Sequence, residues 1–144
     1  MDRYDTLKLE NQLCFPLYAA SREVIKRYHP YLTKLGLTYT QYIAMMVLWA
    51  EREVSVKELG QKLFLDSGTL TPVLKSLEEK GYVKRRRSSE DERVLLVEIT
   101  EAGESLREQA VFIPEKIAGC VRLDSEEAMQ LYRLLYKVLA AINE

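Results

Sequence analysis

The sequence predicts a mainly α-helical fold with a small β-hairpin: a winged helix-turn-helix flanked at both ends by apolar helices. Three observations predict it. Two short helical patterns follow one another between Val54 and Gly81. Four consecutive cations, Lys84, Arg85, Arg86 and Arg87, lie directly after them in a stretch of extended period. Strongly apolar helical stripes occupy both ends of the chain.

Near the N-terminus Leu9, Leu13, Leu17, Ala20, Val24 and Tyr28 recur every three or four residues, the stripe of an amphipathic helix over Leu9 to Tyr28. Pro16 falls inside that stripe. It removes a backbone donor and crowds the carbonyl four residues back, so the helix either kinks there or properly begins near Pro16. Both readings leave Cys14 close to a helix N-terminus or to a break. Thr38, with Gln41 at capping-box spacing, opens a second helix through Ile43, Met46, Val47 and Trp49. Ser55 and Glu58 repeat the spacing and open a third, over roughly Val56 to Leu63. Asp66 is a good N-cap acceptor for a fourth, whose apolar face is Leu70, Val73, Leu74 and Leu77 and whose stop is Gly81. The opposite face carries Thr69, Thr71, Pro72, Lys75 and Ser76, small, polar and basic groups that can approach base edges and phosphates.

After Gly81 the period changes. Tyr82, Val83 and the four cations lead into the polar turn segment Ser88 to Glu92, and Arg93 opens a returning run from Val94 to Ile99. Leu95, Val97 and Ile99 alternate so as to face the helices, while Leu96 breaks the alternation and leaves the register open. Thr100 caps a further helix that Pro114 interrupts. Asp124 with Glu127 opens the last one, bearing Leu131, Leu134, Leu135, Val138, Leu139 and Ile142.

At 144 residues, 47% hydrophobic and 30% charged, the chain reads as one folded domain and not as a disordered or fibrous segment. It has no run of about 18 apolar residues, and Met1 to Gln12 is polar and charged, so neither a membrane span nor a signal peptide is expected and a cytoplasmic protein is. Two cysteines and a single histidine, His29, supply neither a disulfide framework nor a tetrahedral zinc set. No metal or other cofactor is expected.

The net charge of −1 is spread evenly: 7 cations and 6 anions precede Val56, 9 and 8 lie between Val56 and Ile99, and 5 and 8 follow. Nucleic-acid binding therefore has to be argued from placement rather than from bulk charge. Alone, Lys84 to Arg87 reads equally as a solvated face that keeps a strand edge from aggregating. Directly after a helix with a small, polar, basic face, the run points to nucleic acid. The stripe of the last helix is too wide for a lone surface helix. The economical way to bury it and the first helix is against the same elements of a second copy. A homodimer with a two-fold axis would set two recognition helices about 34 to 36 Å apart, one DNA turn, and so bind a palindromic operator. Residues 1–144 are thus expected to form a single domain, with dimerisation helices over about 1–37 and 101–144 and a winged helix-turn-helix over about 38–100.

The segments Lys8-Leu-Glu-Asn-Gln-Leu-Cys14-Phe, Thr38-Tyr-Thr-Gln-Tyr42, Leu65-Asp-Ser-Gly-Thr-Leu-Thr-Pro72 and Glu90-Asp-Glu-Arg93 together resemble the MarR family of winged-helix repressors. More narrowly they resemble its organic hydroperoxide sensors, the OhrR type, over about Lys8 to Leu139. The acidic-basic hairpin tip is shared across the family, whereas the segment around Cys14 with the two later tyrosines belongs to the peroxide sensors. The resemblance implies that Cys14 is a sensing thiol, oxidised by organic hydroperoxide to a sulfenic acid. It implies that Tyr28 and Tyr39 donate hydrogen bonds to that sulfur from the partner subunit, and that Asp91 holds Arg93 for the minor groove. Ser67, Thr69, Thr71, Pro72 and Lys75 match the DNA-facing part of the recognition helix. Implied partners are double-stranded operator DNA, a second copy of the chain, organic hydroperoxides and low-molecular-weight thiols.

Cys120 falls where some members of the family carry a second cysteine that condenses with the oxidised sensor across the dimer. Read from the residues alone, Cys14 beside Leu13, Phe15 and Leu17 is a small packing hydrophobe. Tyr28 and Tyr39 are packing aromatics by the same standard, and Cys120 between Gly119 and Val121 is a packing thiol. Pro16 departs from the family pattern where an ordinary helix former is expected. An enzyme that turned over peroxide at Cys14 would want a Cys-x-x-Cys pair or a histidine placed as a base, and the sequence has neither, so no enzyme is expected. Two alternatives remain: a repressor of the same family released by a small phenolic or apolar ligand, and a broader thiol-based regulator of stress or virulence genes.

Overall fold

Capping side chains set most α-helix starts in the computed structural model, which describes residues 2–144. The chain forms two compact units, one ending at Ile113 and one from Pro114 to Glu144.

The first unit opens with two short 3-10 turns, Arg3–Leu7 and Leu9–Asn11, the second of them at the start of the apolar stripe that begins at Leu9. Asp2 accepts from the Tyr4 N–H, and Gln12 Nε2 donates to the carbonyls of Thr6 and Lys8, both at 2.7 Å. Helix α1 then runs Cys14–Leu35. Pro16 is its third residue, where a backbone N–H has no intrahelical partner, so the helix begins beside the proline instead of kinking at it. It continues past Tyr28, contains Pro30 without ending there, and closes on Gly36 in the left-handed region.

Helix α2, Tyr39–Glu51, carries the complete Thr38–Gln41 capping box. A strand the sequence does not predict, β1 (Glu53–Ser55), leads straight into α3, Val56–Leu63. Ser55 Oγ accepts from the Glu58 N–H at 3.1 Å, but the reciprocal half of the expected capping box is not formed, because Ser55 also ends β1 and its backbone pairs in the sheet. Helix α4, Ser67–Glu79, is capped by Asp66, whose Oδ1 accepts from the Thr69 N–H at 2.8 Å. In the turn between α3 and α4 the Leu65 N–H returns to the Gly60 carbonyl at 3.0 Å. A Cβ on Gly60 would stand 2.8 Å from the Leu65 oxygen, which is why this tight turn needs a residue without one.

Strands β2 (Val83–Arg87) and β3 (Leu95–Ile99) complete an antiparallel sheet in the order β1-β3-β2. Val83 pairs with Ile99, Arg85 with Val97 and Arg87 with Leu95, which settles the register that Leu96 left open. Val97 and Ile99 are buried and Leu95 is half-buried, as the alternation predicts. Val94 lies outside the strand, in the turn, where its N–H donates to the Asp91 carbonyl. Leu70, Leu74 and Leu77 of α4 are buried, as are Met45 and Leu48 of α2, Leu59 of α3 and Val97. This is the expected apolar face of the fourth helix turned inward. Helix α5, Glu101–Ala110, starts at Thr100, whose Oγ1 accepts from the Gly103 N–H. It is tied to α2 by Trp49 Nε1 donating to the Gly103 carbonyl at 2.9 Å.

Helix α6, Ile113–Val121, begins at the end of the first unit, with Pro114 as its second residue. The second unit holds the rest of α6 and α7, Ser125–Ile142, which opens on a complete Asp124–Glu127 capping box. No residue of α7 is buried, and Met129, Leu131, Tyr132, Leu134, Val138 and Ile142 are exposed.

Gly103 is the most closely packed of the glycines: a Cβ there would lie 2.3 Å from the Tyr82 carbonyl oxygen and 2.9 Å from Ile99 Cγ1. Gly103→Ala should therefore destabilise by about 2 kcal/mol or more, despite alanine's better helix propensity. A fall in the urea midpoint with an unchanged denaturant slope would show it, and an unchanged midpoint would refute the close packing.

Candidate nucleic-acid interface and thiol site

The polar face of α4 is built by the period of its apolar one. With Leu70, Leu74 and Leu77 turned inward, Ser67, Thr69, Thr71, Pro72 and Lys75 are all exposed. Pro72 interrupts the backbone ladder without ending the helix. Ser76 differs from the expectation. It is half-buried and its Oγ accepts from Gln41 Nε2 at 2.9 Å, so its hydroxyl serves the seam between α2 and α4 and not the outer face.

The four cations of β2 divide in the same way. Arg85 shares a strand face with buried Val83, and it is clamped: its Nη2 donates to Glu78 Oε1 at 3.1 Å and its N–H to Glu78 Oε2 at 3.2 Å. Arg86 Nη2 donates to Glu53 Oε2 at 2.9 Å, with Glu98 3.9 Å away. Both arginines, expected among the DNA-contacting groups, form ion pairs with carboxylates of the same unit. Lys75, Lys84 and Arg87 are exposed, and among the described residues none of the three forms an ion pair.

At the hairpin tip Asp91 Oδ1 accepts from the Arg93 N–H at 3.0 Å and from Nε at 3.1 Å, while Oδ2 accepts from Nη2 at 3.2 Å. The arginine side chain is nevertheless 91% exposed. A guanidinium held along one edge and otherwise exposed is aimed before any ligand arrives. Behind it a groove of about 850 Å³ runs between the tip and the start of α3, lined by Glu53, Lys57, Glu58, Arg86, Asp91 and Arg93 among others. Its walls carry charges of both signs, which suits water better than an apolar molecule.

Carboxylate chemistry supports this arrangement. Hydrogen bonds from Arg93 hold Asp91 below the usual carboxylate range, bonds from Arg85 do the same for Glu78, and the N–H of Thr69 does so for the cap Asp66. Glu78 and Glu53 were not singled out from the sequence. Their partnership with arginines 7 and 33 positions away is made by the fold and leaves no local pattern.

Cys14 is the first residue of α1 and is exposed, and Cys120 is exposed on α6. Tyr28 lies on the same helix fourteen residues further along, about 21 Å at 1.5 Å per residue, so one chain does not bring Cys14 to Tyr28. Tyr28 instead packs edge-on against Tyr39, ring centroids 4.9 Å apart, with Tyr42 at 5.8 Å. Tyr42 is buried and reaches on to Trp49 at 6.3 Å, extending the cluster beyond the two tyrosines expected. Burial first, and then the neighbouring phenols of Tyr39 and Tyr42, push Tyr28 up to about 12. Burial raises Tyr39 and Tyr42 as well. The Tyr28 hydroxyl therefore keeps its proton well above neutrality and is available as a donor.

The family described as transcriptional regulator SarA/Rot matches residues 26–109. The organic hydroperoxide resistance transcriptional regulator of Bacillus subtilis (strain 168) is 48% identical over 143 residues, 99% of this chain and 97% of that protein. The chain belongs to the MarR family of transcriptional regulators. Among solved structures, reduced AbfR bound to DNA is similar with a TM-score of 0.79 at 35% identity, covering 99% of this chain and 100% of that one. Disulfide-formed AbfR is similar with a TM-score of 0.68 at 37% identity, covering 99% and 97%. AbfR is a protein of Staphylococcus epidermidis. In this MarR-family chain β2, β3 and their connecting turn form the wing.

Because Asp66, Glu78 and Asp91 are all held below their ordinary values, the stability they contribute is complete above the usual carboxylate range. It is lost as pH falls through the depressed values. Thermal melts between about pH 3 and 6 should show a flatter acid limb for Asp66→Asn, Glu78→Gln and Asp91→Asn than for the wild type. Identical profiles would mean that these bonds do not persist in solution.

Proposed function

We propose that the chain is a redox-responsive transcriptional repressor that binds a palindromic operator as a homodimer and lets go when organic hydroperoxide oxidises Cys14. The observation that carries the DNA-binding part is the wing tip, where Asp91 holds a bare Arg93 ready to enter a groove beside the exposed face of α4. Residues of about 38–100 are assigned to DNA binding, and those of about 1–37 and 101–144 to the dimer. In support of the dimer, Leu13, Phe15, Leu17 and Tyr18 in the first unit are exposed, as is the apolar stripe of α7 in the second. No helix among the described residues is long and apolar enough to cross a membrane. A repressor of chromosomal genes works in the cytoplasm.

The redox step needs two chains. With about 21 Å of α1 between Cys14 and Tyr28, the hydroxyls of Tyr28 and its neighbour Tyr39 reach the sulfur only from the partner subunit. The thiolate sulfur attacks one oxygen of the hydroperoxide and the O–O bond breaks. The alcohol leaves after taking a proton, and the sulfur is oxidised to a sulfenic acid. A second thiol, from Cys120 or a small thiol, then displaces the sulfenic oxygen as water and forms a disulfide. Either product changes what the Tyr28 and Tyr39 hydroxyls can bond. An adjustment of the dimer then moves the two recognition helices off their half-sites.

Two features favour a sensor whose signal is this thiol over one emptied by an apolar ligand. The groove beside the wing is charged, and the organic hydroperoxide regulator of B. subtilis is similar over almost its whole length.

Operator titrations before and after organic hydroperoxide test the reading. Cys14→Ser should bind operator like the wild type and stay bound under oxidant, and Cys120→Ser should still release; release of Cys14→Ser as readily as wild type would remove Cys14 as the sensor. Arg93→Ala should weaken operator binding by about 1 to 3 kcal/mol, with Asp91→Ala also harmful, and equal affinity across salt concentrations would take the wing out of the mechanism. If the polar, basic face of α4 and the cation run of the wing neutralise about 8 phosphates per dimer, log affinity should fall against log salt with a slope of about −7. A slope near zero contradicts this binding mode.

A further inference from the structure

Gln41 is a buried amide, at 6% exposure, and it joins three segments of the first unit. Its Oε1 accepts from the Thr38 N–H at 3.0 Å and from Lys80 Nζ at 3.0 Å, and its Nε2 donates to Ser76 Oγ at 2.9 Å. Lys80 Nζ donates in addition to the carbonyl of Gly36, the residue that closes α1. One amide and one ammonium thus pin the C-terminal end of the recognition helix to the junction of α1 and α2. That junction also carries the tyrosines. Tyr39 sits two residues before Gln41 in the first turn of α2, and Tyr28 packs against it at 4.9 Å.

We infer that Gln41, with Lys80, is the positioning residue through which the Tyr28–Tyr39 site and the recognition helix sense each other. Apolar side chains in contact can slide by fractions of an ångström at little cost, whereas a buried amide that loses a partner is left with an unsatisfied group. When the first turn of α2 shifts with Tyr39, the amide carries Ser76 and Lys80 with it, and α4 moves at the end opposite its Asp66 cap. The dependence runs both ways: whatever fixes α4 on DNA must also fix Tyr39. The inference rests on the proposed function only for the stimulus that moves Tyr39.

The test uses the full chain labelled with 3-fluorotyrosine, the Tyr39 fluorine resonance being assigned with Tyr39→Phe. Operator DNA should shift that resonance in the wild type. Gln41→Leu should bind operator within about threefold of wild type and lose at least half of the shift. Lys80→Met, at an exposed position that does not endanger folding, should do the same. A full shift in either folded variant, or none in the wild type, overturns the inference. In a second arm the ratio of operator Kd after and before hydroperoxide should fall about tenfold in both variants while Cys14 is oxidised at the wild-type rate. An unchanged ratio overturns the inference too. If the wild type is not released by hydroperoxide at all, the sensing role of Cys14 fails while the fluorine arm still decides for or against Gln41.

Discussion

A continuous α-helix cannot fold back on itself, and the rest of this molecule follows from that constraint in α1. Twenty-two residues without a break hold Cys14 at one end, and Tyr28 points into an aromatic cluster about 21 Å away. Thiol and phenol can meet only if two copies of the helix run past each other. In the proposed dimer the apolar side chains left exposed beside Cys14, Leu13, Phe15, Leu17 and Tyr18, are part of the same arrangement. They would be a liability in a monomer, and they are what a partner helix would cover.

The recognition helix has the complementary problem. To read DNA as proposed, α4 has to be fixed firmly enough to present Thr69, Thr71 and Lys75 in register, yet be able to give way. Its middle is anchored by Leu70, Leu74 and Leu77 in the core, its start by Asp66. Its far end is held by polar bonds instead: Ser76 and Lys80 to Gln41, and Glu78 to Arg85 of the wing. Apolar anchoring is insensitive to small rotations, and hydrogen bonds are not. The end of the helix nearest the wing is thus the end that responds to its surroundings.

Much of this was legible in the sequence, because short-range rules dominate where elements begin and end. Thr38 with Gln41 and Asp124 with Glu127 are complete capping boxes, Asp66 caps α4, and the stripe of Leu70, Leu74 and Leu77 gives the buried face directly. The start of α1 was ambiguous for a physical reason. Leu9 and Leu13 continue the helical spacing into a stretch that 3-10 turns also satisfy, and only the position of Pro16 in the first turn distinguishes them. Strand β1 is three residues long and shows no period of its own. Ser76 sits at the margin of the apolar stripe, beside Leu77, so a helical wheel alone does not say which side it joins. The pairing of Arg85 with Glu78 and of Arg86 with Glu53 is tertiary, and a run of cations looks the same whether or not carboxylates wait across a strand.

Internal neutralisation of half of that run has a kinetic consequence. Arg85 and Arg86 already hold carboxylates, so the wing meets arbitrary DNA with fewer counterions to displace than its composition suggests, and the grip on any random stretch is correspondingly light. Light grip means short residence at wrong sites and rapid sliding and hopping between them. A regulator that must find one operator among millions of competing sequences, and find it again after each episode of oxidation, gains search speed by what its wing withholds.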